Sequence, residues 1–427
     1  MGFGEGRVKG VTPSSRRFAR FLAGGLLLAF GVGAIEAQAP PSRFVQDRLA
    51  IGLWVPPRDA SDLAARYREI AEAHFTLVIG TAGTTAAEQL RLCEQQGLRA
   101  LVESDAAIDA LPDGPACWGY LLSDEPTVSA FPGLAQRVAG IRRARPGRLG
   151  YVNLFPNYAS AAQLGTPSYE DYVSRFVDEV KPEVLSMDHY PLMRPNTDRR
   201  DAYCDNLEVM RRQSQHAGIP FWNFFQSMPF ADHLDPTEAQ IRWQMFTSLA
   251  YGARGVLYFC YWTPGKGNAG TGEFPKGGAL LTAEGRRTRH YDEARRINAE
   301  LLQLGPTLMQ MTSTGVQRLI SGRTLTNAPT GSAVRTLARV GDDPDSEFMV
   351  GSLRHQDGRR GVLMVNHNTA FTAWPTVTFD APAGAVLEVD KATGRMDPVV
   401  DDSPELPGLQ LSFGPGDGRL FLLPAGP

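Results

Sequence analysis

Cysteine is scarce in this chain of 427 residues, which contains only Cys93, Cys117, Cys204 and Cys260. No two of them form a C-x-x-C pair, so the sequence excludes a zinc knuckle and a disulfide-rich scaffold. The sequence still allows one disulfide bond, between Cys93 and Cys117. His189 has no second histidine or cysteine at helical or hairpin spacing. We therefore predict no metal site, and no motif indicates an organic cofactor.

An excess of positive charge is also lacking. The formal net charge is -3, charged residues make up 21% of the chain and hydrophobic residues 43%. Such a composition is typical of an ordinary globular protein. Because no basic surplus is present to hold a polyanion, nucleic acid and anionic lipid are not expected as partners.

The apolar run Phe21–Ile35 is too short for a membrane-spanning helix, which needs roughly 18 residues. It follows the basic stretch Ser15–Arg20 and precedes the small residues around Ala37, an order typical of export signals. We predict a signal peptide and leader over residues 1–39, with cleavage near Ala37 and no membrane span afterwards. The mature protein is then periplasmic or secreted, with twin-arginine export as one route, and an uncleaved anchor is the alternative.

The chain does contain eight short apolar segments at fairly even spacing. Each has four to seven residues, which suits a strand buried on both faces, and amphipathic stretches lie between them. This alternation predicts a (β/α)8 TIM barrel over residues 45–308. An open doubly wound sheet is the alternative, but no glycine-rich turn follows the first segment. The predicted strands are Ile51–Val55, Phe75–Ile79, Arg99–Val102, Trp118–Leu122, Leu149–Leu154, Val184–Met187, Pro220–Phe225 and Gly255–Tyr261.

After Gly305 and Pro306 the pattern changes to short β-rich runs separated by Gly, Pro and Asp. Alternation of period two with frequent turns is typical of an antiparallel β-sandwich. We therefore predict a second domain of this type over residues 314–425. Its role is either to stabilise the barrel or to bind carbohydrate.

The fourth predicted strand, Trp118–Leu122, is followed by Asp124 and Glu125. A carboxyl group in this position, beneath aromatic residues and beside a second acid, should have a raised pKa and could donate a proton near neutral pH. Glu125 is therefore our candidate general acid. The alternative is that both acids only cap the following helix.

The sixth predicted strand ends in Asp188, His189 and Tyr190. Alternation along the strand sends Asp188 and Tyr190 to one side and His189 to the other. We interpret this group as a polar pocket wall, with a buried structural network as the alternative.

Aromatic and amide side chains accompany these acids near the strand ends. Flat rings can stack on a sugar, and amides can bond its hydroxyl groups, although each ring taken alone is more often part of the core. The loop Thr263–Gly278 contains Glu273 and is expected to close over the same rim. The predicted substrate-binding residues are Asp124, Trp54, Asn153, Tyr190, Trp222, Gln226, Tyr261, Trp262 and Glu273.

In these respects the chain resembles the clan-A glycoside hydrolases, a (β/α)8 superfamily that includes family 42 β-galactosidases and family 5 glycanases. Their pattern is Asn-Glu after strand four, Tyr after strand six, Glu after strand seven and Trp after strand eight. Three of these places are filled here by Asp124-Glu125, Tyr190 and Trp262. The stretches Tyr251–Val256 and Gly416–Phe421 also resemble such enzymes.

The chain departs from that pattern at strand seven, where Gln226 stands in place of the nucleophilic glutamate. The resemblance implies a glycosidase that acts on an oligo- or polysaccharide, with Glu125 as acid. Asp188 is the preferred second carboxylate, with Glu103 and Glu273 as substitutes, and a water activated by Asp188 would favour inversion. The alternative is a catalytically inactive barrel that serves as a glycan receptor. The sequence does not determine the oligomeric state.

Overall fold

The structure is a computed structural model that describes residues 43–58, 61–195, 197–265, 278–321, 333–338 and 346–426. The predicted leader over residues 1–39 and the loop residue Glu273 lie outside the described residues. In the described ranges, no helix has the length and hydropathy that crossing a membrane requires. All four cysteines are buried free thiols, so Cys93 and Cys117 are not bridged.

Eight parallel strands close into a barrel, each pairing with its neighbours in chain order. This confirms the predicted (β/α)8 barrel, and the strand bounds agree with the predicted ones to within two residues. The strands are β1 (Ala50–Trp54), β2 (Leu77–Ile79), β3 (Arg99–Val102), β4 (Cys117–Asp124), β5 (Leu149–Leu154), β6 (Leu185–Asp188), β7 (Phe221–Gln226) and β8 (Gly255–Phe259).

Helices connect the strands on the outside of the barrel. The connection from β3 to β4, all of which is described, contains a short 3-10 turn (Ile108–Ala110) instead of an α-helix. A two-strand hairpin (Leu192–Met193 with Thr197–Asp198) follows β6. The helices are α1 (Leu63–Glu72), α2 (Ala86–Gln95), α3 (Phe131–Ala144), α4 (Ala161–Leu164), α5 (Tyr169–Val180), α6 (Arg200–Ala217), α7 (Glu238–Ala250) and α8 (Arg289–Leu308).

The barrel interior is a packed core at its N-terminal end. Trp222 on β7 stacks on Trp118 of β4 with ring centroids 6.0 Å apart, and Phe44 meets Trp118 edge-on. Side chains alternate along β7, so Asn223 points outward and bonds Tyr203 and a serine on the surrounding helices. Because the lower layers are filled, the polar groups available for chemistry are those at the C-terminal strand ends.

The C-terminal region is an antiparallel β-sandwich, as predicted. A six-stranded sheet in the order β9-β11-β12-β17-β14-β15 faces a three-stranded sheet in the order β10-β13-β16 across a separate apolar core. The strands are β9 (Met311–Ile320), β10 (Val334–Ala338), β11 (Glu347–His355), β12 (Arg360–Asn366), β13 (Thr376–Phe379), β14 (Leu387–Val389), β15 (Met396–Pro398), β16 (Leu409–Gln410) and β17 (Gly418–Leu423).

The sandwich packs directly on α7, which is covered on both sides. Trp243 of α7 donates from Nε1 to Nδ1 of His367 at 3.1 Å. Gly416 lies so close to the helix that an added Cβ would be 2.0 Å from the carbonyl oxygen of Ala239. This contact explains why α7 buries nine consecutive or nearly consecutive residues rather than one stripe.

Candidate active site

Two acidic residues are joined by one amide at the C-terminal mouth of the barrel. Asp124 ends β4, Asp188 ends β6, and Asn153 lies on β5 between them. Nδ2 of Asn153 donates to Oδ1 of Asp124 at 3.2 Å and to Oδ1 of Asp188 at 2.9 Å. Because both oxygens bond the same nitrogen, they lie no more than about 6 Å apart.

The orientation of this amide is fixed by the strand layer beneath it. Oδ1 of Asn153 accepts a hydrogen bond from Ser186 Oγ at 3.2 Å, and that hydroxyl is 2.7 Å from the hydroxyl of Tyr151. The oxygen of the amide therefore faces the hydroxyl groups, and its nitrogen faces the acids. Asn153 was predicted to bind substrate. The structure corrects this, because both donors serve the acids and the residue is only 1% exposed.

Glu125 follows directly after β4 in a left-handed backbone conformation, with φ of 46°. Such a conformation costs a non-glycine residue roughly 1–3 kcal/mol, and such residues are concentrated at functional sites. Its backbone N–H donates to the carbonyl of Asn153 at 2.8 Å, which continues the pairing with β5. The pairing also shifts register between Leu121 and Ser123, and such bulges occur beside active sites. Together these features end the strand and direct the half-buried Glu125 side chain away from it.

Burial and mutual repulsion raise the pKa of every acid in this group. Burial, followed by the charge of Asp124, raises the pKa of Glu125 to about 7. Burial also raises the pKa of Asp124 to about 6, with the charge of Glu103 adding to it and the Asn153 bond opposing it. The pKa of Asp188 is raised by burial and then by the charges of Glu125 and Asp124. Asp124 is exposed to solvent and Glu125 is partly exposed, so the group reaches the protein surface.

These three carboxyl groups retain a proton at neutral pH, because full ionisation would place like charges together. The anion of Asp188 is stabilised by hydrogen bonds from Asn153 and Tyr190. The carboxyl of Glu125 has no side-chain or backbone donor within the described part of the chain. Hydrogen-bond donors therefore favour the charged form of Asp188 and not that of Glu125, while burial raises the pKa of both carboxyl groups.

The residues after Asp188 separate as the alternation predicts. Tyr190 lies on the side of the acids and packs against Phe259 at 5.2 Å between ring centroids. His189 points to the other side, where its Nδ1 is 3.0 Å from Oδ1 of Asn206. Burial lowers the pKa of His189 to about 4, so the ring is neutral. His189 is therefore part of the helix packing and not of the acid group.

Three further side chains complete the mouth. Trp54 at the end of β1 packs against Phe224 with centroids 5.3 Å apart, so this predicted residue does face the interior. An added Cβ on Gly80 would lie 3.6 Å from Oε1 of Glu103 and 3.9 Å from Nε1 of Trp54, which places both side chains around that glycine. Tyr158 is 47% exposed and meets His189 edge-on at 5.0 Å. In the sequence, Tyr158 is one of the aromatic residues near the strand ends, but it is not among the predicted substrate-binding residues.

Three predicted aromatic residues lie away from the acids. Trp222 is at the opposite end of the interior, fully buried, with Nε1 donating to Gln46. Tyr261 points outward and packs against Phe75 at 6.0 Å. Trp262 is 5% exposed, bonds a backbone carbonyl and borders a separate cavity of about 760 Å³ beside α1. The predictions for Tyr261 and Trp262 failed because an aromatic residue near a strand end does not reveal its register, and the prediction for Trp222 failed because this residue lies near the start of β7.

Gln226 occupies the strand-seven position but is engaged in structural bonds. Its Oε1 accepts from the backbone N–H of Leu192 at 3.1 Å, and its Nε2 donates to the carbonyls of Leu192 and Leu234. Both amide hydrogens are used and the residue is fully buried. The structure thus corrects its predicted role, because Gln226 ties two loops together and has no donor left for a sugar.

No group of three or more His, Cys, Asp or Glu side chains within the described ranges is arranged to hold a metal ion.

The sequence matches no known family profile and no curated protein. Similar solved structures include a β-galactosidase from the psychrophilic Marinomonas ef1, at 12% identity and a TM-score of 0.45 over 60% of each chain. Another is a β-glucuronidase from Bifidobacterium dentium, at 12% identity and a TM-score of 0.43 over 58% of this chain and 46% of that chain. A third is a β-galacturonidase from Eisenbergiella tayi, at 14% identity and a TM-score of 0.42 over 58% of this chain and 51% of that chain. The chain thus spans about half to three fifths of their lengths, and at these identities and scores no functional argument rests on the likeness.

We expect the substitution Asn153→Leu to lower the free energy of unfolding by about 2 kcal/mol at pH 7.5, mostly through the lost bond to the buried Asp188. Loss of the donor raises the folded-state pKa of both acids further. Because the unfolded state is the same in both proteins, the deficit should shrink as the pH falls through the folded-state pKa of each acid, which is about 6 for Asp124 and is raised for Asp188. Urea unfolding at pH 4.5 and pH 7.5 measures this, with Asn157→Leu as the control, since the Asn157 side chain donates to the backbone carbonyl of Ala202 and not to an acid. A deficit independent of pH would contradict the bridging role.

Proposed function

We propose that this protein hydrolyses O-glycosidic bonds of an oligo- or polysaccharide, with Glu125 as general acid and Asp188 as the second carboxylate. The observation that carries the proposal is the group of acids at the barrel mouth, in which the pKa of Glu125 is raised to about 7 while Asp188 is held by hydrogen-bond donors. Acid-base hydrolysis of a glycoside requires one carboxyl that holds a proton and one that does not.

In the proposed reaction, Glu125 gives its proton to the glycosidic oxygen as the bond from that oxygen to the anomeric carbon breaks. The oxygen of a water molecule attacks the anomeric carbon, and Asp188 takes the proton that the water loses. The charge of Asp124, one amide away from Asp188, would stabilise the positive charge that develops on the sugar ring.

The surroundings of the acids suit a sugar. The rings of Tyr158, Tyr190 and Trp54 lie around the mouth and offer flat apolar faces for the C–H surfaces of a pyranose. A water-activated route is favoured because Gln226 stands where a nucleophile would be expected and its amide is fully engaged. We also propose that the enzyme is exported, and that it belongs with clan-A enzymes of the family 42 or family 5 kind.

Gln226 also favours the second candidate function, a binding-only glycan receptor. The two functions differ in one observable. A receptor binds glycans saturably and releases no sugar, whereas a hydrolase produces new reducing ends.

We expect Glu125→Gln to lower kcat by roughly 10²–10⁴-fold, because the amide cannot supply the proton. Substrate is first found by assaying polysaccharides and nitrophenyl glycosides for released sugar. Glu179→Gln, at an exposed position on α5, is the matched control and should retain full activity. A wild-type rate in folded Glu125→Gln would refute the assignment, and saturable binding to a glycan array without sugar release by the wild type would favour the receptor.

We expect the first sugar released to have the inverted anomeric configuration, because the route through water needs no covalent intermediate. Proton NMR of the fresh product measures this. Retention would overturn the proposed pairing and favour Asp124 with Asp188, whose bonded oxygens lie within about 6 Å, near the roughly 5–5.5 Å typical of retaining enzymes.

A further inference from the structure

A second cavity, of about 390 Å³, lies at the opposite end of the barrel from the acids. It is enclosed by the end of α6, the residues that lead into β7 and β8, and the first residues of β9. It therefore sits where the barrel meets the β-sandwich. Among the described residues that line it, the charged ones are Arg211 and Arg254, and none is acidic.

Arg254 carries an uncompensated positive charge beside this cavity. Nη2 of its guanidinium donates to the carbonyl of Met311 at 3.3 Å. No Asp or Glu of the described ranges forms an ion pair with it, and burial lowers its pKa without an opposing carboxylate. A half-buried cation without a partner is costly, and the cost is removed when an anion binds beside it.

Ser313 of β9 supplies a second unused donor. The residue is 5% exposed, and its Oγ is buried without a hydrogen-bond partner. Most buried polar atoms in proteins do have partners, so an unpaired hydroxyl on the wall of a cavity indicates a place for a ligand oxygen. Its backbone position is fixed, because Nε2 of Gln215 donates to the Ser313 carbonyl at 2.6 Å.

The groups next to Arg254 and Ser313 do not cancel the positive charge of Arg254, and they do not repel an anion strongly. Arg211 is held by Glu208 through two bonds, at 2.7 and 2.6 Å, so this pair is close to neutral. The last carbonyls of α6 would oppose an anion, but the turn at Gly218 closes two of them: Gly218 N–H donates to Gln215, and Ile219 N–H donates to Ser214.

We propose that this cavity binds a phosphate group between Arg254 and Ser313. The planar guanidinium offers parallel donors to two oxygens, and the serine hydroxyl donates to a third. The cavity is of the size found for small-molecule sites, so it has room for an organic group attached to the anion. Because Arg254 leads into β8 and Ser313 belongs to β9, the bound anion would join the barrel to the sandwich.

The test is isothermal titration of the whole protein with inorganic phosphate and, separately, with glycerol 3-phosphate, at constant ionic strength. We expect one site per chain. Arg254→Met should weaken binding about tenfold or more, and Ser313→Ala should weaken it by a smaller factor. Arg212→Met, an exposed α6 arginine paired with Glu170, and Glu125→Gln should both bind as the wild type does.

Tighter binding of glycerol 3-phosphate would identify the natural ligand as an organic phosphate, and equal binding would indicate the free ion. The melting temperature of the wild type should also rise with phosphate by more than that of Arg254→Met. The proposal would be overturned if the wild type binds neither phosphate at tens of millimolar. It would also be overturned if folded Arg254→Met and folded Ser313→Ala bind phosphate as tightly as the wild type does. If Arg254→Met does not fold, Ser313→Ala decides.

Discussion

The hydrogen bonds of a single amide organise the proposed active site. Asn153 donates to acids on the two strands that flank its own, so β4, β5 and β6 must be in their observed register for the site to exist. The bonds also favour the charged forms of Asp124 and Asp188, whereas the Glu125 carboxyl has no donor in the described chain. Two neighbouring carboxyls thereby acquire different tasks although both have a raised pKa.

The rest of the barrel supports this arrangement from below and from the side. The layer of Tyr151 and Ser186 orients the amide, and the filled aromatic layer beneath it closes the N-terminal end. Gln226 holds the loops that follow β6 and β7 by three bonds to their backbone. The sandwich adds support by covering α7, the helix that follows β7.

The fold was largely predictable because buried parallel strands are short apolar runs, and all eight were found within two residues. The acids were predictable for a related reason: Asp124, Glu125 and Asp188 directly follow or end such runs. The bridging role of Asn153 could not be predicted, because it depends on the distance between neighbouring strands. Tyr261 was misplaced because one step of register moves a side chain between the interior and the helices, and Trp222 was misplaced because it lies near the start of β7, at the opposite end of the interior from the acids.

To act as the acid, Glu125 must hold a proton near neutral pH while it faces a charged neighbour. Carbon-13 NMR of glutamate labelled at the side-chain carboxyl measures this directly, with the resonance of Glu125 identified by its absence in Glu125→Gln. We expect a midpoint near 7, well above the ordinary value of about 4.3 for glutamate. A midpoint close to that ordinary value would show that Glu125 is ionised at neutral pH and cannot act as the acid.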